Sequence, residues 1–205
     1  MTTMRGLFLV CVAAVLLPSV RGNSSGANVG ACSSMVPSHG GATTQSFPSP
    51  FTITPNSNSY TPGKRIDVTL AGICGRPFKG FLVQARQASD STSTVSVGTF
   101  APSDNRAQTR CPSNPSITHV SGDLKSSITF SWTAPSTAQG HLVFVATFVE
   151  SYSTFWAKQM SVVIRDESLS NPPPSYPNVP SPVTNSSVCP TTTPAPPTTQ
   201  VQSLE

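Results

Sequence analysis

No segment of this 205-residue chain reaches the roughly eighteen consecutive apolar residues that a bilayer-spanning helix needs. Charge is scarce too: Asp, Glu, Lys and Arg make up 10% of the residues. An ordinary globular domain carries about a quarter. There is no basic run and no alternation of basic and aromatic residues, which argues against a nucleic-acid partner. The chain has no phosphate loop, dinucleotide fingerprint or C-x-x-C pair, and no G-x-S-x-G elbow between a strand and a helix. The whole chain has only three histidines. Nucleophilic or paired-carboxylate catalysis is therefore not expected, and the chain is read as a non-enzyme with no cofactor. A sustained 3.6-residue apolar period is missing as well, so no substantial amphipathic helix is expected.

What is present sorts by region. Residues 7–17 form an apolar run behind Arg5, about 16 Å of helix and too short to span hydrocarbon. The small residues Val20 and Gly22 follow, so 1–22 reads as a cleaved secretory signal. No apolar tail for a lipid anchor closes the sequence. The expected product is secreted. Cys32, Cys74, Cys111 and Cys189 remain after the signal, an even number that suits an oxidising compartment. Asn23 and Asn185 head N-x-S/T sequons, and Asn185 is the better acceptor because Asn23 would sit at the new N-terminus. A short segment, 23–29, precedes one domain over 30–166. From about Asn171 the sequence is Pro, Ser and Thr with almost no charge. The 167–205 tail is therefore expected to be disordered, rich in polyproline II and similar to an O-glycosylated stalk.

The domain has a period of two. In RIDVTLA (65–71), Ile66, Val68 and Leu70 share one face. In SSITFSWTAP (126–135), Ile128, Phe130 and Trp132 do the same. HLVFVATFVE (141–150) is apolar at nearly every position, as a central strand requires. KGFLVQARQ (79–87), TVSVGTF (94–100) and FWAKQMSVVIRD (155–166) add further strands, and 49–54 and 116–120 are weaker candidates. Turn signals at Pro62-Gly63, Gly75, Asn114-Pro115, Ala134-Pro135 and Gly140 separate them. The expected fold is all-β: an immunoglobulin-like antiparallel β-sandwich of about seven to nine strands.

Eight short motifs occur in order: ACSSMVPSHGG, YTPGKRIDVTL, PFKGFLVQAR, VGTF, Cys111, ITHV, ITFSWTAP and GHLVFVATFVE followed by FW. In order and spacing they resemble the reeler (reelin N-terminal) domain across nearly all of 30–166. The resemblance implies a β-sandwich related to the immunoglobulin fold. It also implies three kinds of relative: short secreted invertebrate defence proteins linked to bacterial surfaces, ectodomains of ferric-chelate reductases, and the leading domains of reelin and spondin in the extracellular matrix. The reductases place their haem chemistry in other domains, so ferric reduction is not carried over. The family pattern implies a Cys32–Cys111 disulfide. Cys74, in GICG, departs from that pattern; it pairs either with Cys189 or leaves Cys189 to another chain.

The domain holds ten cations and six acids. That balance suits a bacterial envelope polymer, an acidic glycan or an acidic extracellular protein. Arg76, Lys79 and Arg86, with Phe78 and Phe81 between them, form a candidate anion-binding edge. On the other reading Phe81 and Val83 are core, Gly80 marks a bulge and the cations face water. Trp132 and Trp156 are read as core. His39 and His119 follow Cys32 and Cys111 by seven and eight residues, so the disulfide would bring them near each other. Two imidazoles are a start for Zn or Cu. No Asp, Glu or Cys completes the set and Met35 suits only Cu(I), so both are assigned to loop hydrogen bonding and no metal is expected. The function expected is a secreted, non-catalytic defence protein recognising bacterial surface components. The alternatives are a matrix or adhesion module and the truncated ectodomain of a reductase-like membrane protein.

Overall fold

The computed structural model describes residues 24–90, 93–173 and Cys189. The expected signal, both sequons and most of the tail lie outside the described residues. Along the described chain run a helical turn α1 (Ala31–Ser34), a 3-10 turn over Ile73–Gly75, and strands β1 (Phe51–Pro55), β2 (Ser59–Tyr60), β3 (Arg65–Gly72), β4 (Gly80–Gln87), β5 (Thr99–Pro102) and β6 (Ala107–Arg110). They continue with β7 (Ser116–His119), β8 (Ser127–Thr133), β9 (Leu142–Val149), β10 (Phe155–Met160) and β11 (Arg165–Asp166). Two antiparallel sheets stack as a sandwich, one ordered β1-β3-β8-β5 and the other β10-β9-β4-β7-β6. The short β11–β2 pair is parallel and departs from the all-antiparallel expectation. No described helix is long and apolar enough to cross a membrane.

Alternation builds the core. Ile66, Val68 and Leu70 of β3 and Ile128, Phe130 and Trp132 of β8 point inward from one sheet. Phe81, Val83 and Ala85 of β4 and Phe144, Ala146 and Phe148 of β9 meet them from the other. Aromatic edges and faces interlock: Phe51 stacks on Phe148 at 4.8 Å, and Trp132 meets Phe144 edge-on at 5.5 Å. The Trp132 indole N–H donates to the Val97 carbonyl at 2.9 Å, so its one polar atom is satisfied in a fully buried site. Gly98, at φ +76°, permits this close approach; a Cβ there would lie 2.4 Å from Trp132 Nε1.

Three strand expectations are revised. The 94–100 stretch becomes a strand only at Thr99, because Ser96 and Val97 turn aside. The Ser96 hydroxyl donates to Pro115 and accepts from the Ala85 N–H, while the Val97 N–H donates to Ala85. The 155–166 stretch breaks, first at an irregularity between Trp156 and Gln159 where Lys158 has φ 55°, then between β10 and β11. Gly80 marks no bulge: its register opposite Val149 is continuous, and a Cβ would lie 2.9 Å from the His119 ring. β6 gave no periodic signal in the sequence.

The β11–β2 pair is fastened by Asp166, which is 1% exposed. Its carboxylate accepts from the Gly140 N–H, the Tyr60 hydroxyl, and both the N–H and hydroxyl of Ser168. Burial alone would raise this carboxyl, but these hydrogen bonds outweigh it and hold the group below its ordinary value of 3.8.

Two outcomes are expected in urea denaturation. Gly98→Ala should lose more than ~2 kcal/mol, whereas Gly63→Ala, with φ +77° but nothing within 4 Å, should lose only the ~1 kcal/mol of left-handed strain. Because the folded Asp166 carboxyl titrates below the unfolded one, its stabilisation is complete above the ordinary value and fades as pH falls through the lowered one. The stability gap between wild type and Asp166→Asn should therefore narrow between neutral pH and about pH 2; a constant gap would refute the assignment.

Candidate functional site

β4 and β9 are buried on both faces, and the inner face accounts for only half of that. Leu82, Val143 and Val145 point outward and pack with Ala31 and Met35 in a second, smaller core. The cover is the irregular N-terminal segment, which crosses the outer face strand by strand. The Arg110 guanidinium on β6 donates to the Ala27 carbonyl at 3.0 Å, and the Ala27 N–H donates to Thr118 on β7. Gln84 on β4 donates to the Cys32 carbonyl at 2.7 Å, and Thr147 on β9 to the Met35 carbonyl at 2.6 Å. The Gln45 N–H reaches Phe155 on β10 at 2.8 Å. A segment without regular pairing must find partners for its backbone, and these outward polar side chains supply them. A disulfide joins Cys32 to Cys111, just beyond β6, with their Cα atoms 5.8 Å apart.

This cover leaves a cleft of about 650 Å³ between itself and the sheet. Ala27, Pro37 and Val149 give it accessible apolar surface, with Met35 and Leu82 buried behind them, while Asn28, Ser38 and Ser151 are polar lining residues. His39, Lys79 and His119 also line it. The His39 ring stacks on Tyr152 at 4.7 Å and meets the Phe155 edge; its Nδ1 is buried without a hydrogen-bond partner. His119 is 8% exposed, and its Nδ1 takes the Phe81 N–H at 3.1 Å. Among the described residues no group of three or more His, Cys, Asp or Glu gathers around a metal position.

The proposed anion-binding edge is not one site. Arg86 is 2% exposed beneath the N-terminal cover, where it donates to the Gln84 side chain and the Ser33 carbonyl. Desolvation lowers its pKa, and among the described residues no carboxylate pairs with it. Arg76 forms a bidentate pair with Glu150 at 2.8 and 2.9 Å and lies over the Trp156 ring. Lys79 alone of the three lines the cleft. Other cations are also occupied. Arg65 pairs with Asp67 and Arg106 with Asp104. Lys125, 3% exposed, donates to the carbonyls of Lys79, Ser121 and Asp123 at 3.0, 2.8 and 2.6 Å, and burial lowers its pKa. The positive charge of the domain is thus spread: Arg86 and Lys125 are buried, while Lys79, Lys158 and Arg165 are exposed. Cys74 and Cys189 are joined, Cα atoms 5.3 Å apart, at the Gly72 end of β3.

A family model described as Reeler domain matches residues 30–172. The chain belongs to the Reeler family. The fold agrees: a crystal structure of the human F-spondin reeler domain superposes with a TM-score of 0.54 at 19% identity, covering 62% of this chain and 96% of that one. Two kinds of relative share the sequence. The Bombyx mori "Putative defense protein" is 32% identical over 76% of this chain and 95% of its own length. The Bos taurus "Ferric-chelate reductase 1" is 37% identical over 76% of this chain but only 24% of its own length. The chain thus spans about a quarter of the length of the reductase relatives.

Some of the reeler domain's cleft was visible as residues but not as a cavity. Met35, His39, Lys79 and His119 were singled out, whereas Leu82, Val149 and Tyr152 carried no signal of their own. One clue was available: a strand such as β9, apolar on both faces, demands a second cover. Lys125 and Asp166 gave no warning, because a buried lysine or aspartate looks like a surface one in sequence. Arg86→Ala is expected to cost about 2–3 kcal/mol in chemical denaturation, as it strands the Ser33 carbonyl and Gln84. Lys79→Ala should stay within about 0.5 kcal/mol. Equal costs would contradict the burial assigned here.

Proposed function

We propose that this reeler domain is an extracellular, non-catalytic binding module of host defence that recognises bacterial surface components. The observation that carries the reading is the similarity to the Bombyx mori protein over 95% of that protein's length. Two disulfides support an oxidising compartment. The histidines support a binding role over a catalytic one: His39 is held by ring stacking, His119 by the Phe81 backbone, and His141 between the Asp166 N–H and the Asn171 carbonyl. A scaffold that holds its surface rigid suits recognition, where ordering a flexible surface would weaken affinity.

A second reading has its own support. Identity to the Bos taurus reductase, 37%, exceeds that to the Bombyx mori protein. On that reading the domain is the ectodomain of a reductase-like membrane protein and contributes binding, not electron transfer.

The test is a sedimentation assay of the purified, oxidised chain with Gram-negative and Gram-positive cells, competed by lipopolysaccharide and lipoteichoic acid. Saturable binding that weakens with salt is expected, because exposed cations such as Lys79, Lys158 and Arg165 contribute. No binding to either cell type at low ionic strength would overturn the defence reading. Retention on heparin without bacterial binding would instead favour a matrix module with an acidic glycan or protein partner.

A further inference from the structure

We propose that the cleft under the N-terminal cover binds a single-chain anionic amphiphile: an alkyl chain on its apolar surface with a carboxylate head at Lys79. This does not depend on bacterial recognition.

Three observations converge. The cleft's volume, about 650 Å³, lies within the roughly 300–1,000 Å³ of small-molecule sites. Its lining combines accessible apolar surface from Ala27, Pro37 and Val149 with the polar residues Asn28, Ser38 and Ser151. Its charge has one sign. Lys79 lines it, no Asp or Glu does, and among the described residues no carboxylate pairs with Lys79. Arg65, Arg76 and Arg106 each have a carboxylate, so Lys79 is the cation this cleft can offer a ligand. A neutral or cationic head of the same chain length would lack that partner, and a cationic one would meet like charge.

The surroundings fit the same ligand. The wall formed by the sheet is rigid, since β4 and β9 are packed on both faces. The opposite wall is held by the Thr147–Met35 hydrogen bond and the Cys32–Cys111 link. Next to lining residues Asn28 and Pro37, the apolar side chains of Val29 and Val36 stay 66% and 38% exposed, and lining residue Tyr152 is 40% exposed. Exposed apolar groups beside a cleft extend the surface available to a chain longer than the cleft. A preformed cleft of this kind also avoids the ordering cost of building one around the ligand.

The experiment is calorimetric titration of the intact, oxidised chain with dodecanoate below its micelle concentration, with dodecanol and dodecylammonium as head-group controls. Dodecanoate is expected to bind saturably at one site, at least tenfold tighter than either control. Lys79→Glu, at an exposed position that leaves the core untouched, should weaken dodecanoate at least tenfold and leave dodecanol unchanged. Equal affinity for the three heads, no effect of Lys79→Glu, or no saturable binding below about a millimolar would overturn the proposal. So would binding to phosphatidylglycerol vesicles with none to the monomeric amphiphile, which would make the feature a membrane contact. Binding of dodecanoate with no bacterial binding would leave this proposal standing and remove the defence reading; the reverse would remove this one alone.

Discussion

A sheet that is apolar on both faces must be covered twice, and the rest of this structure follows from that constraint. β4 and β9 lie at the centre of the five-stranded sheet and bury almost every residue. The other sheet covers one face, as in any sandwich. The second face is covered by a stretch of chain with one helical turn and no strand, running from Ala27 to Gln45 across the strands. Such a cover has few backbone partners of its own. Arg110, Gln84, Arg86 and Thr147, facing outward from the sheet, each donate to its carbonyls, and Thr118 accepts from its Ala27 N–H. Polar residues inside a mostly apolar interface are thus a consequence of using an irregular segment as a wall. The Cys32–Cys111 link reinforces it by removing a loop of 79 residues from the unfolded chain's freedom, on the order of 4 kcal/mol in the chain-entropy account.

The same constraint decides where the charges go. Arg86 sits on a strand whose outer face is covered, so it becomes a structural donor and not a surface cation. Lys125 replaces a missing backbone partner for the carbonyls of the 121–123 turn and of Lys79. Arg76 is held by Glu150 and the Trp156 ring. A positive balance read from composition is therefore divided among separate places. Lys158 and Arg165 are exposed, and Lys79 is the lysine that lines the cleft, beside the ends of β4, β7 and β9.

Much of the fold was legible along the chain. Alternation in 65–71 and 126–135 marked β3 and β8 with the inward residues correct, and the unbroken apolar run of 141–150 marked a central strand. β6 carried no periodic signal, and the turned-aside residues Ser96 and Val97 were not legible because the Asn114 side chain and the Pro115 and Ala85 backbone set their conformations. Of the candidate site residues, Lys79, His39 and His119 share the cleft, while Arg76 and Arg86 are drawn elsewhere by Glu150 and Gln84.

The order of apolar and polar residues, a local property, by itself determined the two-sheet architecture, the family likeness and the cysteines available to staple it. It could not determine which side of a doubly apolar sheet the N-terminal segment would cover, which cations would be spent under that cover, or that a cleft would remain beside Lys79. Those outcomes depend on groups 52 to 112 residues apart meeting in space, as Gln84 meets Cys32 and Thr147 meets Met35. Only the packed chain decides which of the many chemically equivalent partners is within reach.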